Sequence, residues 1–418
     1  MSERLEVIRR FTKHFEKNAS RYAAEITASM GKPLSQAHGE IRGMIDRAHQ
    51  MSGIAESSLA DIILPEQEGY SRWIQREPVG VVVVLAAWNY PLLTAINSVV
   101  AAVLAGNSVV LKQSPRTPIC AEQFAEAFAE AGAPDDLVLA IHCSYEVSEQ
   151  LVAHPLAGYV SFTGSIFGGR RVYQAVAKSR FIDVGLELGG KDPAYVAQDA
   201  HFDHAIVNLV EGGFYNAGQS CCGIERVYVH EAIYDRFLEA AVEEAKNYRP
   251  GDPMIDGTTL GPMAQVTAVP FLQKQVDEAK SKGARILVGG QATQFDGKGR
   301  FFAPTIVADT DHTMSIAKEE SFGPILAVQK VSSDEEAIKR MNDSELGLTA
   351  SVWTSDIERG RQLLPQLQAG TVFLNRADYL DPLLAWTGTK NSGKGASLSA
   401  LGFHAVTRPK SYHLRLKV

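Results

Sequence analysis

Four short stretches of the chain place reactive residue types where a fold could present them. Cys221 stands in Gly218-Gln219-Ser220-Cys221-Cys222-Gly223, after a helical pattern and before the strand-like run Arg226 to His230. Small neighbours let the backbone turn tightly and offer a thiol, and a cysteine thiolate is a strong nucleophile whose surroundings set its reactivity. The bland alternative is a buried, inert cysteine, the commoner state of a free thiol, and the adjacent Cys222 does not decide between them. Glu187 closes an apolar strand-like run just before Gly189 and Gly190. Ligand sites in doubly wound sheets lie at the carboxyl ends of strands, so a carboxylate there is a candidate general base; otherwise it is a strand-end acid paired with Lys191. Asn89, in Trp88-Asn89-Tyr90-Pro91, also follows a buried strand. Its amide can donate to a developing oxyanion, or it is a polar turn residue. Phe162-Thr163-Gly164-Ser165-Ile166-Phe167-Gly168-Gly169 joins a strand to a helix. N–H groups at a helix start attract anions and glycines let a phosphate approach, but the pattern is not GxGxxG and fits an ordinary turn as well.

The elements that must hold these residues follow from periodicity. Leu5, Ile8, Phe11 and Phe15 recur at helical spacing behind Ser2, a possible N-cap, and a second helical stretch stops at Gly31 with Pro33 behind it. Residues 64–78 are polar, carry two prolines and read as an extended excursion. From Gly80 to Ala87 the run is continuously apolar and β-branched, as in a strand buried on both faces. Strands are expected at 108–112, 137–142, 159–163 and 181–188, with helices at 95–105, 119–131 and 168–178 between them. The second half repeats the alternation, with strands at 226–230, 284–288, 325–331, 348–354 and 370–375 and helices at 202–215, 231–247, 268–282, 333–342 and 356–366. Strand–helix–strand alternation at this spacing means βαβ units and mostly parallel, doubly wound sheets. The tail 411–418 alternates like an edge strand.

Composition bounds the rest. The chain has 418 residues, 45% hydrophobic and 21% charged, with a formal net charge of −7. At roughly 100–200 residues per domain this is two to four domains or one composite. Lys and Arg form no stripe, which argues against nucleic acid as a partner. The longest apolar run, Val79 to Trp88, is too short to cross a bilayer, so no membrane role is expected, and the charged amphipathic start shows no secretory signal. Four cysteines (Cys120, Cys143, Cys221 and Cys222) make no disulfide framework, so a reducing, cytoplasmic compartment is expected. The histidines show no metal-binding HExxH motif, and the His201/His204 pair sits at a helix start.

Together the four stretches resemble the aldehyde dehydrogenase superfamily. WNYP at 88–91, VVLK at 109–112, FTGS at 162–165, ELGGK at 187–191 and GQSC at 218–221 stand in family order. EESFGP at 319–324, NDSELGLTASVWT at 342–354, GTVFLN at 370–375 and KNSGKG at 390–395 continue it, and Glu187 and Cys221 are 34 residues apart, as in the family. The resemblance implies two doubly wound α/β domains, a Rossmann-like cofactor domain at 1–63 and 79–188 and a catalytic thiol domain at 189–395. It adds a small β extension for oligomerisation at 64–78 and 404–418.

Family roles carry over position by position. The resemblance makes Cys221 the nucleophile, Glu187 the base that activates water, and Asn89 with the Cys221 N–H the oxyanion hole. Lys112 matches the lysine that holds the adenosine ribose, with Ser114 beside it. Gly164, Ser165 and Gly169 match the pyrophosphate turn, Glu320 the carboxylate on the nicotinamide ribose, with Trp88, Leu188 and Phe322 around it. The implied substrate tunnel involves Tyr90, Leu93, Thr94, Asn97, Tyr215, Ser220, Cys222, Tyr379, Leu380 and Trp386, a lining suited to a medium aliphatic or aromatic aldehyde. Arg376, if it points inward, favours an acidic semialdehyde. The implied cofactor is NAD or NADP, without a metal, and the implied assembly a homodimer or a dimer of dimers.

The departures are specific. Family members usually carry an N-terminal arm that opens with strands, and this chain begins at the first helix. Pro115 stands where many members have a ribose-binding glutamate, and Ala385 where a proline usually precedes the tryptophan. Two other readings compete: a CoA-acylating semialdehyde dehydrogenase, a branch that tends to lack the base, and a catalytically silent member with a structural or binding role.

Overall fold

In the computed structural model, which describes residues 1–417, the apolar run after Gly80 becomes strand Val81–Ala86, and its side chains divide between two cores. Val82, Val84 and Ala86 pack with helices on one face, while Val83 and Leu85 join Val160, Val172 and Val184 on the other. A strand covered on both sides must be apolar at every position, and each buried valine or leucine contributes roughly 1.5–3 kcal/mol. The sheet around it runs, in spatial order, Gly393–Lys394, Asp183–Glu187, Ala157–Thr163, Val81–Ala86, Ser108–Gln113 and Val138–Ala140. All pairings are parallel except the first, Gly393 opposite Glu187. The order reverses beside Val81–Ala86, so a crevice opens at the carboxyl ends of Val81–Ala86 and Ala157–Thr163. Trp88-Asn89 and Gly164-Ser165 stand there.

Three helices precede this sheet: α1 (Ser2–Lys17), α2 (Ala19–Met30) and α3 (Leu34–Leu59). The turn between α2 and α3 needs Gly31 at φ 83°, where an added Cβ would strike Pro262. Helix α3 has no counterpart among the elements expected from sequence. Its core positions, Ala37, Ile41, Met44, Ile45, Ala48, Met51 and Ala55, nevertheless recur at helical spacing. It packs beside α4 (Pro91–Ala105), which begins on a favourable N1 proline. Glu40 of α3 is buried, pairs with the buried Lys32, and accepts the Leu92 N–H at 2.8 Å and the Leu93 N–H at 3.4 Å. A carboxylate thus caps the amino end of α4 and holds the Asn89–Pro91 turn in place.

The second sheet runs Arg285–Val288, Thr305–Ala308, Ile325–Val331, Ile224–His230, Asp192–Val196, Thr349–Trp353 and Thr371–Leu374, parallel except at its first pair. Two of these strands, Asp192–Val196 and Thr305–Ala308, fall outside the sequence expectations, as does the hairpin of Ala292–Phe295 with Lys298–Phe302. Asp192 disguises the first of them. A carboxylate followed by proline does not read as a central strand, yet Asp192 is buried and accepts both the Thr349 N–H and its hydroxyl, at 3.1 and 2.6 Å.

The polar excursion and the tail pair with each other. Tyr70–Pro78 runs antiparallel to Thr407–Arg415, and Ile62–Ile63 adds a short third strand. Trp73 stacks on Tyr412, ring centroids 4.5 Å apart and nearly parallel. The tail strand begins at Thr407 rather than at residue 411, and the last residue assigned to it, Val418, lies outside the described residues. Residues 404–406 belong with the first core, because helix Ser399–Ala405 inserts Phe403, followed by Val406, into it. Among the described residues no helix is long and apolar enough to cross a membrane.

Candidate active site

Cys221 lies on a turn whose backbone is forced. Asn216 and Ala217 both have φ 54°, and Gly218 follows at φ 68°. Left-handed Asn is tolerated, left-handed Ala is strained, and such strain persists only where surroundings over-determine it. Gln36 of α3 accepts the Asn216 N–H at 3.0 Å, and the Asn216 amide donates to the Asn89 and Gln219 carbonyls at 3.0 and 3.2 Å. Gly218 leaves room for the Gly323 carbonyl, 2.2 Å from where a Cβ would sit. The Asn89 amide donates to the Gln219 carbonyl at 3.1 Å, and its second N–H has no acceptor among the described residues. Asn89, at the end of the first sheet, is therefore bonded directly into the thiol loop of the second.

Glu187 ends strand Asp183–Glu187 and faces the same space. Ser397 donates to one of its carboxylate oxygens, and Thr163 to the other at 3.3 Å. It is not paired with Lys191, which is buried against Glu225. Burial raises the Glu187 pKa above the ordinary carboxylate value; the Ser397 and Thr163 hydroxyls pull back part of the rise. Ser397 comes from the C-terminal segment, and no motif announces it.

Cys221, Glu187 and Asn89 open onto one cavity of about 470 Å³. All ten residues assigned to the tunnel line it: Tyr90, Leu93, Thr94 and Asn97 from α4 and its lead-in, Tyr215, Ser220 and Cys222 from the thiol loop, and Tyr379, Leu380 and Trp386 from the C-terminal loop. Arg376 is exposed at the rim, its guanidinium 3.4 Å from the Tyr379 ring centre. The lining carries more charge than those ten residues imply. Helix α3 contributes Glu40, Asp46 and Arg47, and Asp378 sits opposite. Asp378 accepts the Cys222 thiol at 2.9 Å and the Ser220 hydroxyl at 3.4 Å, and burial pushes its pKa up to about 6. Contact with the Cys221 thiol, burial and Asp378 together push the Cys222 thiol well above its ordinary range. Cys222 is buried and held as a thiol, whereas Cys221 is half-exposed. The pair, indistinguishable by type, is distinguished by environment.

On the other side of Glu187 lies the crevice assigned to the cofactor. Trp88 and Phe322 meet edge to face, ring centroids 5.5 Å apart. The buried Lys112 has its ammonium 5.2 Å from the Tyr145 ring centre and no hydrogen-bond acceptor among the described residues, and Ser114 and the exposed Pro115 follow it. Arg116 turns towards Trp88, 5.7 Å from its ring. Gly164 starts the turn, the Ser165 hydroxyl caps helix Ile166–Ser179 by accepting the Gly168 N–H, and a Cβ on Gly169 would strike Leu188 at 2.6 Å. Among the described residues Glu320 accepts only the Gly190 N–H, at 3.0 Å, and Gly189 lies so close that a Cβ would meet its carboxylate. A carboxylate with spare acceptor capacity, a lysine without an acceptor and a capped helix start fit a ribose diol and phosphates. The Glu320 loop is itself pinned: Glu225, buried against Lys191, accepts the Ser321 and Phe322 N–H groups at 2.8 and 2.9 Å. No group of three His, Cys, Asp or Glu among the described residues is arranged to hold a metal ion.

This fold and this arrangement have relatives. The model of the aldehyde dehydrogenase family matches residues 1–412. A betaine aldehyde dehydrogenase of Brucella melitensis is 35% identical over 396 residues, 94% of this chain and 81% of that protein. The crystal structure of an NAD-dependent aldehyde dehydrogenase from Sinorhizobium meliloti superimposes with a TM-score of 0.95 at 32% identity, covering 99% of this chain and 82% of that one. A succinic semialdehyde dehydrogenase from Streptococcus pyogenes in complex with NADP+ gives 0.94 at 31% identity, covering 99% and 90%. The chain belongs to the aldehyde dehydrogenase family, and its activity is NAD(P)-dependent aldehyde oxidation.

Glu320 offers a test of the crevice in the free protein. Burial, and then the neighbouring Glu225, push its pKa up to about 8 from 4.5. A carboxyl whose pKa is raised by folding favours the folded state below 4.5 and loses that contribution as pH rises through about 8. Glu320→Gln, which does not titrate, should therefore have a thermal midpoint that gains on the wild type between pH 5 and pH 9. Equal differences at both pH values would show that Glu320 is not buried as described.

Proposed function

We propose that Cys221 attacks the aldehyde carbonyl and that Asn89 and Glu187 serve the two halves of the reaction. The observation that supports this is convergence: three groups from three separate elements share one cavity, with the half-exposed thiol among them. Attack by the Cys221 thiolate forms a thiohemiacetal, whose oxyanion the free Asn89 N–H and the Cys221 backbone N–H stabilise. Lys112, Ser114, Gly164, Ser165, Gly169 and Glu320, with Trp88, Leu188 and Phe322 alongside, would hold NAD(P)+, which when bound would supply the acceptor for the hydride that must leave the adduct carbon for the thioester to form. Glu187 then takes a proton from a water molecule, the hydroxide adds to the thioester carbon, and the acid leaves as Cys221 is restored. A raised pKa suits Glu187 to this role, because a base works best when its pKa approaches the working pH. The presence of that base favours hydrolysis over transfer to CoA, and the intact trio favours an active enzyme over a silent one.

The cofactor domain is assigned to 1–63 and 79–188, the thiol domain to 189–395, and the small sheet to assembly. Among the described residues that sheet leaves Thr407–Arg415 with a neighbour on one side only. A nine-residue exposed edge is an aggregation hazard unless covered, so we assign a homodimer or a dimer of dimers. Free thiols and dispersed charge support a cytoplasmic enzyme whose partners are small molecules rather than nucleic acid or membrane.

The direct test of mechanism is substitution. Cys221→Ala should abolish aldehyde-dependent NAD(P)H formation while Cys222→Ala keeps most of it; the opposite result assigns the nucleophile to Cys222. Glu187→Gln should give a burst of NAD(P)H followed by very slow turnover, and an unchanged steady rate would remove Glu187 from deacylation.

Cofactor choice follows from Pro115. A carboxylate about 4 Å from a 2′-phosphate, at an effective dielectric near 20, repels it by about 4 kcal/mol per unit charge before desolvation. With none at that place, NADP should be used with kcat/KM within roughly two orders of magnitude of NAD, a difference of about 2.8 kcal/mol. Pro115→Glu should move the preference towards NAD; strict NAD use by the wild type would mean that another group excludes the phosphate. For assembly, light scattering should give a mass of two or four chains, and a stable monomer contradicts the role given to the small sheet.

A further inference from the structure

Several charged groups at the cavity have no part in the chemistry above, and Arg47 stands out among them for its uncommitted donors. Arg47, on α3, reaches into the space shared by Cys221 and Glu187. Its Nη1 donates to the Asn97 side-chain oxygen at 2.9 Å, and no other hydrogen bond and no ion pair is formed by its guanidinium among the described residues. Four of five donors are thus uncommitted in a site that pulls the arginine below its usual pKa by burial. Arg47 is half-buried, and even partial desolvation of a cation without a counter-ion is costly, so a ligand that supplies the counter-charge is favoured there. The acids nearby do not complete it. Glu40 is taken by Lys32 and the Leu92 N–H, Asp378 by the Cys222 thiol and the Ser220 hydroxyl, and Glu187 by Ser397 and Thr163. Asp46 and Glu211 line the cavity only at its exposed rim.

We propose that Arg47 is a specificity-determining residue that binds a carboxylate at the far end of the substrate, so that the preferred aldehydes are short acid semialdehydes. The inference deepens the mechanism above and rests on it. Asn97 holds the guanidinium from one side, leaving a fork of N–H groups that matches both carboxylate oxygens. This places the recognising cation on α3, whereas sequence alone directs attention to Arg376. Arg376 instead stacks on Tyr379 at the rim.

The test compares 4-oxobutanoate with butanal, equal in chain length and different in charge. Wild-type kcat/KM should be at least tenfold higher for the acid. In Arg47→Gln the ratio of the two should fall at least tenfold, chiefly through KM, and Arg47→Lys should recover part of it because a point charge replaces the fork. A calorimetric titration with glutarate, which carries no aldehyde, reads the site without turnover: binding in the wild type and its loss in Arg47→Gln are expected. Equal losses for both aldehydes would overturn the proposal and make Arg47 a group that positions Asn97 and Glu187, as would glutarate binding that ignores the substitution. If neither aldehyde is oxidised but glutarate binding still depends on Arg47, the anion site stands and the mechanism above falls.

Discussion

The arrangement depends on a small hydrogen-bonded knot between two sheets. Asn89 leaves the first sheet and donates to the Gln219 carbonyl, while Asn216, from the second, donates back to the Asn89 carbonyl. Gln36 of α3 holds the Asn216 N–H and thereby ties a third element to the same point. A nucleophilic thiol has conflicting needs. It must be reached by substrate, which puts it on a loop, and it must be held to a fraction of an ångström, which loops do not do unaided. The left-handed turn at residues 216–218 resolves the conflict by storing strain that these buried hydrogen bonds outweigh.

Burial then differentiates groups that chemistry alone would treat alike. Two adjacent cysteines differ because one is enclosed against Asp378 and the other half-exposed. Two carboxylates, Glu187 and Glu320, are both raised by desolvation, yet their neighbours differ. Hydroxyls from Ser397 and Thr163 partly restore the acidity of Glu187, whereas Glu320 has a second carboxylate nearby and a single N–H donor. The low dielectric that makes these groups responsive also makes uncompensated charge expensive. That is why Lys32–Glu40 and Lys191–Glu225 occur as closed buried pairs, and why Arg47, without an ion pair among the described residues, stands apart.

The same pairs act as scaffolding for the site. Glu40 fixes the start of α4, which carries Leu93, Thr94 and Asn97 into the cavity. Glu225 fixes the loop that presents Glu320 and Phe322 on the opposite side of Glu187. The walls assigned to substrate and to cofactor are therefore each hung on one buried lysine–carboxylate pair, and Glu187, the proposed base, stands between them.

Much of this was written locally. A β-branched run without polar interruption reads as a strand covered on both faces, so Val81–Ala86 was readable, as were helices such as α1 whose apolar residues return every three or four positions, whereas α3 went unread although its core positions have the same spacing. The order of the motifs identified the family, and with it the expected roles of Cys221, Glu187 and Asn89, because spacing along the chain is a sequence property. What the sequence could not settle were interactions between groups distant along it. Asp192 reads as polar until Thr349 receives it in the sheet interior. Ser397 has no meaning until it meets Glu187 across 210 residues. The inequality of Cys221 and Cys222, the spare capacity of Glu320 and the exposed donors of Arg47 are statements about dielectric and neighbours. Those exist only once the chain has closed around them.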